Sequence, residues 1–342
     1  MPAAGGVGAV IRRLLLGLLG LGIGAWGAAA LWIDGPAFRP LAGMLAAGFF
    51  AASLVLPQRS RRGIVAAVLL WAVLLVWWRA IPPSNTRDWL PDVANPPTAT
   101  FDGNRVTIHN VRNFEYRSET DYTPHWETRT YDLDDIRGLD IFLSKWGSPD
   151  IAHTIMSWEF GHAPPLAISI ETRKERGEAY SAILGFFRQY ELYYVVADER
   201  DLIGVRASHR GEQVSLYRLA VPPELARALL VSYLRAADHL AREPKWYNAF
   251  SHNCTTTIRL HVLQIGIAQP WDYRILVNGR LPEMFYERKS INTDLPLAEV
   301  LAASDITARA KAAGTAPDFS ARIREGLPPR PPFRFRTGDG RP

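Results

Sequence analysis

Three long apolar runs fill most of the first 80 positions, and shorter stretches that alternate between apolar and polar residues follow them. The first run, residues 14–33, has 20 consecutive positions without a charge, which is long enough to cross about 30 Å of hydrocarbon as a helix. Residues 41–56 and 64–78 form two shorter runs. The pattern predicts a transmembrane region over residues 1–80 with three helices. Two helices, or a cleaved signal peptide in place of the first run, are the alternatives.

Charge supports this interpretation, because the formal net charge of +5 comes from the same region. Residues 1–81 carry seven arginines and one acidic residue, Asp34, whereas the rest of the chain has one more acidic than basic residue. The basic excess therefore indicates a membrane protein and not a nucleic-acid-binding one. Arginines precede the first run and fill the loop between the second and third, which the positive-inside rule places in the cytoplasm. Three spans then predict a multi-pass inner-membrane protein whose remaining chain faces the periplasm.

After residue 98 the pattern is typical of a mixed α+β domain. Period-two alternation predicts strands over residues 105–111, 126–133, 166–171, 192–196 and 213–219. Apolar stripes predict helices over residues 222–240 and 254–265. The domain is predicted to span residues 99–326, after a linker rich in Pro, Asn and Asp over residues 81–98 and before a disordered, basic, Pro-rich tail over residues 327–342.

The strongest candidate for chemistry is Cys254, the single cysteine in 342 residues. It lies in the sequence Ser-His-Asn-Cys-Thr-Thr-Thr, at or just before the start of a predicted helix. The positive end of the helix dipole and the free backbone N–H groups at that position favour a thiolate. A buried, unreactive cysteine under the first helical turn is the alternative.

A reactive thiol needs a base, and His162 is the histidine that we predict for this role. It follows Gly161 at the mouth of the strand over residues 166–171, and imidazole can both activate a thiol and protonate a leaving group. Glu171 ends that strand and is the candidate that orients the imidazole. Strict alternation places Glu171 and His162 on opposite faces, so this assignment requires a bulge or action from the strand end, and a surface ion pair is the alternative. The His, Cys and carboxylate residues do not show metal-ligand spacing.

Four segments together resemble one known family: residues 110–117, residues 157–162 with His162, residues 168–173 with Glu171, and residues 252–256 with Cys254. In this order they resemble the periplasmic domain of the Lnb family of alternative lipoprotein N-acyltransferases. The resemblance implies a permuted papain-like α+β fold, similar to the lecithin retinol acyltransferase group, in which the histidine precedes the cysteine.

The resemblance also implies an activity. Cys254 would take an acyl chain from a phospholipid as a thioester, with His162 as base and Glu171 as orienter, and pass it to the α-amino group of a diacylglyceryl apolipoprotein. Neither a metal nor another cofactor is implied. The candidate substrate-binding residues are Asn253, Trp158, Tyr116 and Arg173. The alternatives are a periplasmic cysteine peptidase or amidase that acts on cell-wall peptides, and a membrane-anchored interaction module without activity.

Overall fold

The computed structural model describes residues 4–267 and 270–333, and the chain forms two compact units. The helical unit consists of Met1–Ser84 together with an inserted segment, Ser181–Tyr190. The α+β unit consists of Asn85–Tyr180 and Glu191–Pro342.

The helical unit contains three helices that are long and apolar enough to cross a membrane. They are α1 (Ala4–Ile33), α2 (Arg39–Arg59) and α3 (Arg61–Ala80). Many of their apolar side chains point outward; Val73 and Val76, for example, are 68% and 70% exposed. Outward-facing apolar side chains on helices that satisfy their own backbone hydrogen bonds are what contact with lipid requires. Between α2 and α3, Ser60 caps the third helix by accepting a hydrogen bond from Gly63 N at 3.1 Å.

The inserted segment Ser181–Tyr190 packs within the helical unit through one carboxylate. Asp34 follows α1 and accepts hydrogen bonds from Trp78 Nε1 at 2.7 Å and from Gln189 Nε2 at 2.8 Å. The guanidinium of Arg188 lies 4.0 Å from the centre of the Trp78 ring. The segment is irregular apart from one 3₁₀ turn, Leu184–Phe186, because these contacts with Asp34 and Trp78 replace a continuous helical ladder.

The α+β unit is built on an eight-stranded sheet in which all pairs except β2–β9 are antiparallel. Along the sheet the strands are β1 (Thr98–Asp102), β2 (Arg105–Arg112), β9 (Glu191–Asp198), β8 (Leu166–Arg173), β7 (Ala152–Phe160), β6 (Ile136–Lys145) and β10 (Gln213–Leu219), and β5 (Trp126–Asp132) also pairs with β2. Two short strands, β3 (Glu115–Tyr116) and β4 (Tyr122–Thr123), form a separate hairpin. The stretches predicted as strands all lie in the large sheet, which confirms the mixed α+β class.

Helices cover both faces of this sheet. On one face Trp158 of β7 packs edge-on against Tyr233 of α5 (Pro223–Arg242), with ring centres 5.3 Å apart. Ile155 points to the opposite face, since its number differs from 158 by an odd step, and joins the main apolar cluster. That cluster includes side chains from α4 (Glu199–Gly204), α9 (Thr307–Ala313) and α10 (Phe319–Arg322). The remaining helices are α6 (Cys254–Gln264), α7 (Leu281–Glu287) and α8 (Leu297–Ser304).

The predicted linker is in large part folded, so its boundary needs correction. Trp89 and Val93 are buried in the main cluster, at 7% and 3% exposure. Arg173 binds this segment by donating to the carbonyl oxygens of Val93 at 2.9 Å and Ala94 at 2.8 Å. The Pro-rich composition therefore marks turns in the α+β unit and not a free tether, because two apolar side chains anchor the segment in the core.

The start of the predicted disordered tail is also folded. Arg330 donates to Asp140 Oδ1 and to Glu159 Oε2, both at 2.8 Å. Arg324 donates to the same Asp140 at 2.8 Å and to Glu199 at 2.6 Å, and both of these carboxylates are fully buried. Buried carboxylates need such partners, which explains why residues 327–333 are held in place. The rest of the predicted tail, residues 334–342, lies outside the described residues.

Candidate active site

Cys254 is the first residue of α6, as predicted, and a capping box builds this helix start. Asn253 Oδ1 accepts a hydrogen bond from Thr256 N at 2.9 Å, and Thr256 Oγ1 accepts one from Asn253 N at 3.0 Å. Asn253 Nδ2 also donates to Ala249 O at 2.8 Å. The amide of Asn253, predicted as a substrate-binding group, is thus engaged in holding Cys254 at the positive end of the helix.

The body of α6 is anchored to the domain by a buried histidine. His261 lies about two helical turns after Cys254. It makes hydrogen bonds with Tyr194 Oη at 2.6 Å and Ser232 Oγ at 2.8 Å. Its ring packs on that of Tyr233, with centres 4.2 Å apart. Burial lowers the pKa of His261 to about 4, so it is a neutral structural residue. These contacts fix the direction in which α6 points its N-terminus.

The imidazole next to the thiol belongs to His153 and not to His162, the predicted base. His153 lies near the start of β7 and hydrogen-bonds the Cys254 side chain. The backbone N–H of Thr154 also donates to the sulfur. Strand β7 therefore supplies the thiol with both a base and a backbone donor.

Glu171 reaches His153 because of the register of the β7–β8 hairpin. The paired residues Ile155↔Ser169 and Trp158↔Leu166 have position numbers with the same sum, and continuing this register sets His153 opposite Glu171. His153 Nε2 lies 3.0 Å from Glu171 Oε1. The carboxylate predicted as orienter therefore contacts an imidazole, although a different one from that predicted.

Ser169 determines which ring nitrogen of His153 faces the thiol. Its hydroxyl donates to Glu171 Oε1 at 2.7 Å and lies 2.6 Å from His153 Nε2. Since a hydroxyl has one proton to donate, it accepts from the imidazole, and Nε2 carries a hydrogen directed at Ser169 and Glu171. Nδ1 is then the nitrogen left for Cys254. Cys254, His153 and Glu171 thus form a chain of thiol, imidazole and carboxylate, the order in which a nucleophile, its base and an orienting group are arranged in triads.

Arg206 supports the carboxylate from behind. It lies in a π-helical turn, Val205–His209, after α4, and its Nη2 donates to Glu171 Oε1 at 2.8 Å. Its Nη1 donates to Glu212 at 3.1 Å, and Glu212 in turn accepts from Ser144. Arg206 is 4% exposed, so its charge is compensated inside the domain and not by water. This buried ion network keeps Glu171 ionised and in place.

The pKa shifts follow from this arrangement. Burial alone would raise the pKa of Cys254, but the hydrogen bond and charge of His153 and the Thr154 N–H lower it to about 7. Burial would lower the pKa of His153, yet the Glu171 carboxylate raises it to about 9. Burial would likewise raise the pKa of Glu171, but His153 and Arg206 hold it well below its ordinary value. A thiolate–imidazolium pair is consequently favoured between about pH 7 and pH 9.

Asn278 holds the two halves of the site together. Its Oδ1 accepts from Ala152 N at 2.7 Å, and its Nδ2 donates to Ala152 O at 2.5 Å and Thr255 Oγ1 at 2.8 Å. The same amide lies 3.9 Å from Cys254 Sγ. The next residue is Gly279, where a Cβ would lie 2.1 Å from the backbone oxygen of Pro149, so only glycine permits this approach. One amide thus ties the strand that carries His153 to the helix that carries the thiol.

Two further tyrosines, Tyr180 and Tyr247, lie near the sulfur. The hydroxyls of Tyr247 and Tyr180 hydrogen-bond each other. Burial raises the pKa of both, and the nearby Cys254 thiolate raises it further. Tyr247 lies in the segment between α5 and α6, and Tyr180 lies in the loop that follows β8. Tyr247 thus places an aromatic side chain near the thiol.

Residues 122–279 match the family model described as the Lnb N-terminal periplasmic domain. The matched region includes Cys254, His153, Glu171 and Asn278, and it covers less than half of the 342 residues. The match supports an Lnb-type family for this part of the chain. Together with three helices suited to cross a membrane, it fits a membrane-associated protein with a periplasmic domain. Comparisons with curated proteins and with solved structures gave no match.

Within the Lnb-matched region, His162 is not part of the constellation, which corrects the predicted base. It lies in the turn between β7 and β8, and its side chain is 87% exposed and hydrogen-bonded to Asp135 at 3.0 Å. His153 and His162 lie at opposite ends of β7, and at about 3.3 Å per residue they are separated by roughly 20 Å or more. Since Cys254 contacts His153, His162 cannot reach it.

Three predicted substrate-binding residues have structural contacts and do not meet at the site. Trp158 is fully buried and donates from Nε1 to Ala226 O at 2.8 Å. Tyr116 lies in β3 and directs its hydroxyl at Asp201 Oδ1, 3.4 Å away. Arg173 stacks over Trp89 at 4.2 Å while it binds the N-terminal segment of the domain. These three side chains serve packing and hydrogen bonding in the α+β unit.

One signal in the sequence could have found His153. A tight turn centred at residue 162 pairs residues that lie at equal distances on either side of it, and both His153 and Glu171 are nine positions away. Arg206 and Asn278 carry no comparable signal, because only tertiary structure brings them to the hairpin. No group of three or more His, Cys, Asp or Glu side chains among the described residues is suited to hold a metal ion.

Proposed function

We propose that this protein is a membrane-anchored thiol acyltransferase that transfers an acyl chain from a phospholipid to the α-amino group of the N-terminal cysteine of a diacylglyceryl apolipoprotein. The observation that carries the proposal is the contact of Cys254 with His153, and of His153 with Glu171, inside the region that matches the Lnb domain. The proposed fold is a permuted papain-like one, since His153 precedes Cys254 in the chain and the thiol lies at a helix start.

In the first half of the reaction, the Cys254 thiolate attacks the ester carbonyl of the donor lipid. The negative charge on the carbonyl oxygen would be stabilised at the start of α6, where the N–H groups of Cys254 and Thr255 precede the capped ones. The C–O bond then breaks, and the His153 imidazolium gives its proton to the leaving oxygen. The products are a thioester on Cys254 and a lysophospholipid.

In the second half, the neutral α-amine of the apolipoprotein attacks the thioester carbonyl. His153, now neutral, takes the proton of the amine, the C–S bond breaks and the thiolate is restored. Glu171 and Ser169 hold the imidazole in one orientation throughout both halves. The reaction needs no metal or nucleotide. It would take place on the periplasmic side of the inner membrane, where both lipid substrates lie.

The test is a covalent adduct. Purified full-length protein incubated with phospholipid should gain the mass of one acyl chain on Cys254, and hydroxylamine should remove it. Cells that carry Cys254→Ser protein should have lipoproteins with free α-amino groups. An enzyme that forms no adduct but cleaves peptide amides would instead be the amidase considered above, and this outcome would overturn the proposal.

A further inference from the structure

The end of the α+β unit around Cys254 is rimmed by exposed apolar side chains. Three segments contribute to this apolar rim: the β6–β7 turn, the loop before α6 and the loop before Asn278. Its members are Trp146, Ile151, Phe250, Trp271, Tyr273 and Leu276, which are between 39% and 63% exposed.

Contacts at the site show that these three segments surround the thiol. Asn278, which ends the third segment, lies 3.9 Å from Cys254 Sγ and binds the backbone of Ala152. Gly279 N donates to Asp150 O at 2.9 Å, which joins the third segment to the β6–β7 turn. The guanidinium of Arg259 in α6 lies 5.8 Å from the centre of the Trp271 ring. Phe250 is four positions before Cys254. The rim therefore encircles the active site and is not scattered over the surface.

The opposite end of the same sheet has a different surface. The turn at Asn104 joins Leu133 through a backbone hydrogen bond of 2.8 Å, and Gly161 joins Asp135 through one of 2.9 Å. The exposed side chains there include Asp102, Asn104 and His162. Among the described residues of the α+β unit, the other large exposed apolar side chains are Tyr180, Leu260 and Leu263 on α6, Leu295 and Phe333. A soluble domain rarely concentrates exposed aromatics in this way without a partner.

We infer that the apolar rim inserts into the outer leaflet of the phospholipid bilayer and places Cys254 at the level of the lipid esters. A bilayer is the favoured partner because the same chain carries three helices suited to span it, which keep the domain beside its surface. Trp and Tyr together with aliphatic side chains are also the residue types that occupy the membrane interface. The inference deepens the proposed function, on which it depends only for the statement that the contacted lipid is also the substrate.

The lone cysteine makes a clean experiment possible. In full-length Cys254→Ser protein, one new cysteine at a time would be introduced as Phe250→Cys, Tyr273→Cys or, as the control, His162→Cys. Each would carry an environment-sensitive fluorophore, in nanodiscs of phosphatidylethanolamine and phosphatidylglycerol with or without nitroxide-bearing lipid. Positions 250 and 273 are exposed in the structure to a similar extent, at 63% and 62%.

Labels at positions 250 and 273 should show blue-shifted emission and strong quenching by the lipid nitroxide, whereas the label at 162 should show neither. Equal emission and equal quenching at all three positions would overturn the inference. Blue-shifted emission without nitroxide quenching would also overturn it, because the rim would then be covered by protein. These variants lack the thiol, so their result is independent of whether the acyl adduct forms.

A second measurement uses the active protein. The pair Phe250→Gln and Trp271→Gln, combined in one variant, should raise the lipid concentration needed for half-maximal adduct formation by about tenfold or more, since each tenfold step equals about 1.4 kcal/mol of lost interfacial binding. Alkylation of Cys254 by iodoacetamide, a small water-soluble reagent, should keep its rate. An unchanged lipid dependence with normal alkylation would contradict the inference.

Discussion

The β7–β8 hairpin carries two histidines, one at each end, and each lies at the same distance from a carboxylate oxygen but in different surroundings. At one end His153 lies 3.0 Å from Glu171, and at the other His162 lies 3.0 Å from Asp135. The first pair is largely buried, contacts a thiol and is supported by Arg206. In the second pair the histidine is solvent-exposed, and none of its contacts in the described part of the chain is with a thiol. The comparison teaches that an imidazole–carboxylate pair alone does not indicate catalysis, whereas burial and a thiol partner make His153 and Glu171 the candidate site.

The sharpest test of this difference removes each imidazole in turn. His153→Ala should slow formation of the acyl adduct by about 10³-fold, since general acid–base catalysis contributes roughly 10²–10⁴-fold. His162→Ala should leave the rate within about twofold of the wild type. Intact-mass kinetics with phospholipid measure both rates. A large loss in His162→Ala, with normal activity in His153→Ala, would reverse the roles that we assign to the two ends.

The carboxylates extend the comparison. Glu171→Gln should lower the rate by about 10²-fold, because the amide no longer stabilises the imidazolium and leaves Arg206 with one anionic partner fewer. The pKa of His153 should fall from about 9, so the alkaline limit of activity should move to lower pH. Asp135→Asn, the matched change at the exposed end, should alter neither the rate nor the pH profile. A pH–rate profile of Glu171→Gln that coincides with the wild type would show that Glu171 serves stability alone.

The protonation state of the thiol gives the next prediction. Iodoacetamide alkylation of wild-type Cys254 should rise with pH through about 7, because the thiolate forms as the thiol loses its proton. In His153→Ala the midpoint should move up toward the ordinary value of 9.0, and the rate at pH 7 should fall about fiftyfold. Acyl transfer in the wild type should rise through pH 7 and decline through about pH 9, where His153 loses the proton that the leaving oxygen needs.

The smallest effect is expected from the amide that joins the two halves of the site. Asn278→Ala should lower the free energy of unfolding by about 1–3 kcal/mol, the cost of leaving the Ala152 backbone groups and Thr255 without their partner. The rate should fall about tenfold as the distance between helix and strand relaxes. Thermal unfolding and adduct kinetics measure the two effects. His239→Ala, which removes an exposed histidine on α5, serves as the control and should change neither.

Much of the fold could be predicted from the sequence because local chemistry decides it. The three apolar runs, the alternating strands and the capped start of α6 each depend on residues that are neighbours in the chain. Cys254 at a helix N-terminus follows from Asn253 and Thr256 alone. The same reasoning from neighbouring residues predicts the linker and tail boundaries wrongly. Trp89 packs against side chains far away in the chain, and Arg330 donates a hydrogen bond to the distant Asp140.

The base could not be found by the same means. Alternation tells which face a side chain occupies, but it does not tell which residue lies opposite on the next strand, and this depends on the centre of the turn. His162 is the predicted base because it lies beside a strand. In the structure it lies at the centre of the turn that sets His153 opposite Glu171. Arg206 reaches the site from a π-helical turn that follows α4, a geometry that no local pattern of these residues indicates.

The pairing of Asp140 and Glu199 with Arg324 and Arg330 also affects how the chain folds. Asp140 in the sheet and Glu199 at the start of α4 obtain their counter-charges from Arg324 and Arg330. The α+β unit therefore cannot neutralise these two buried charges until residues 324 and 330 have reached them. Folding of such long-range contacts is slow, and a chain that terminates early keeps two uncompensated charges.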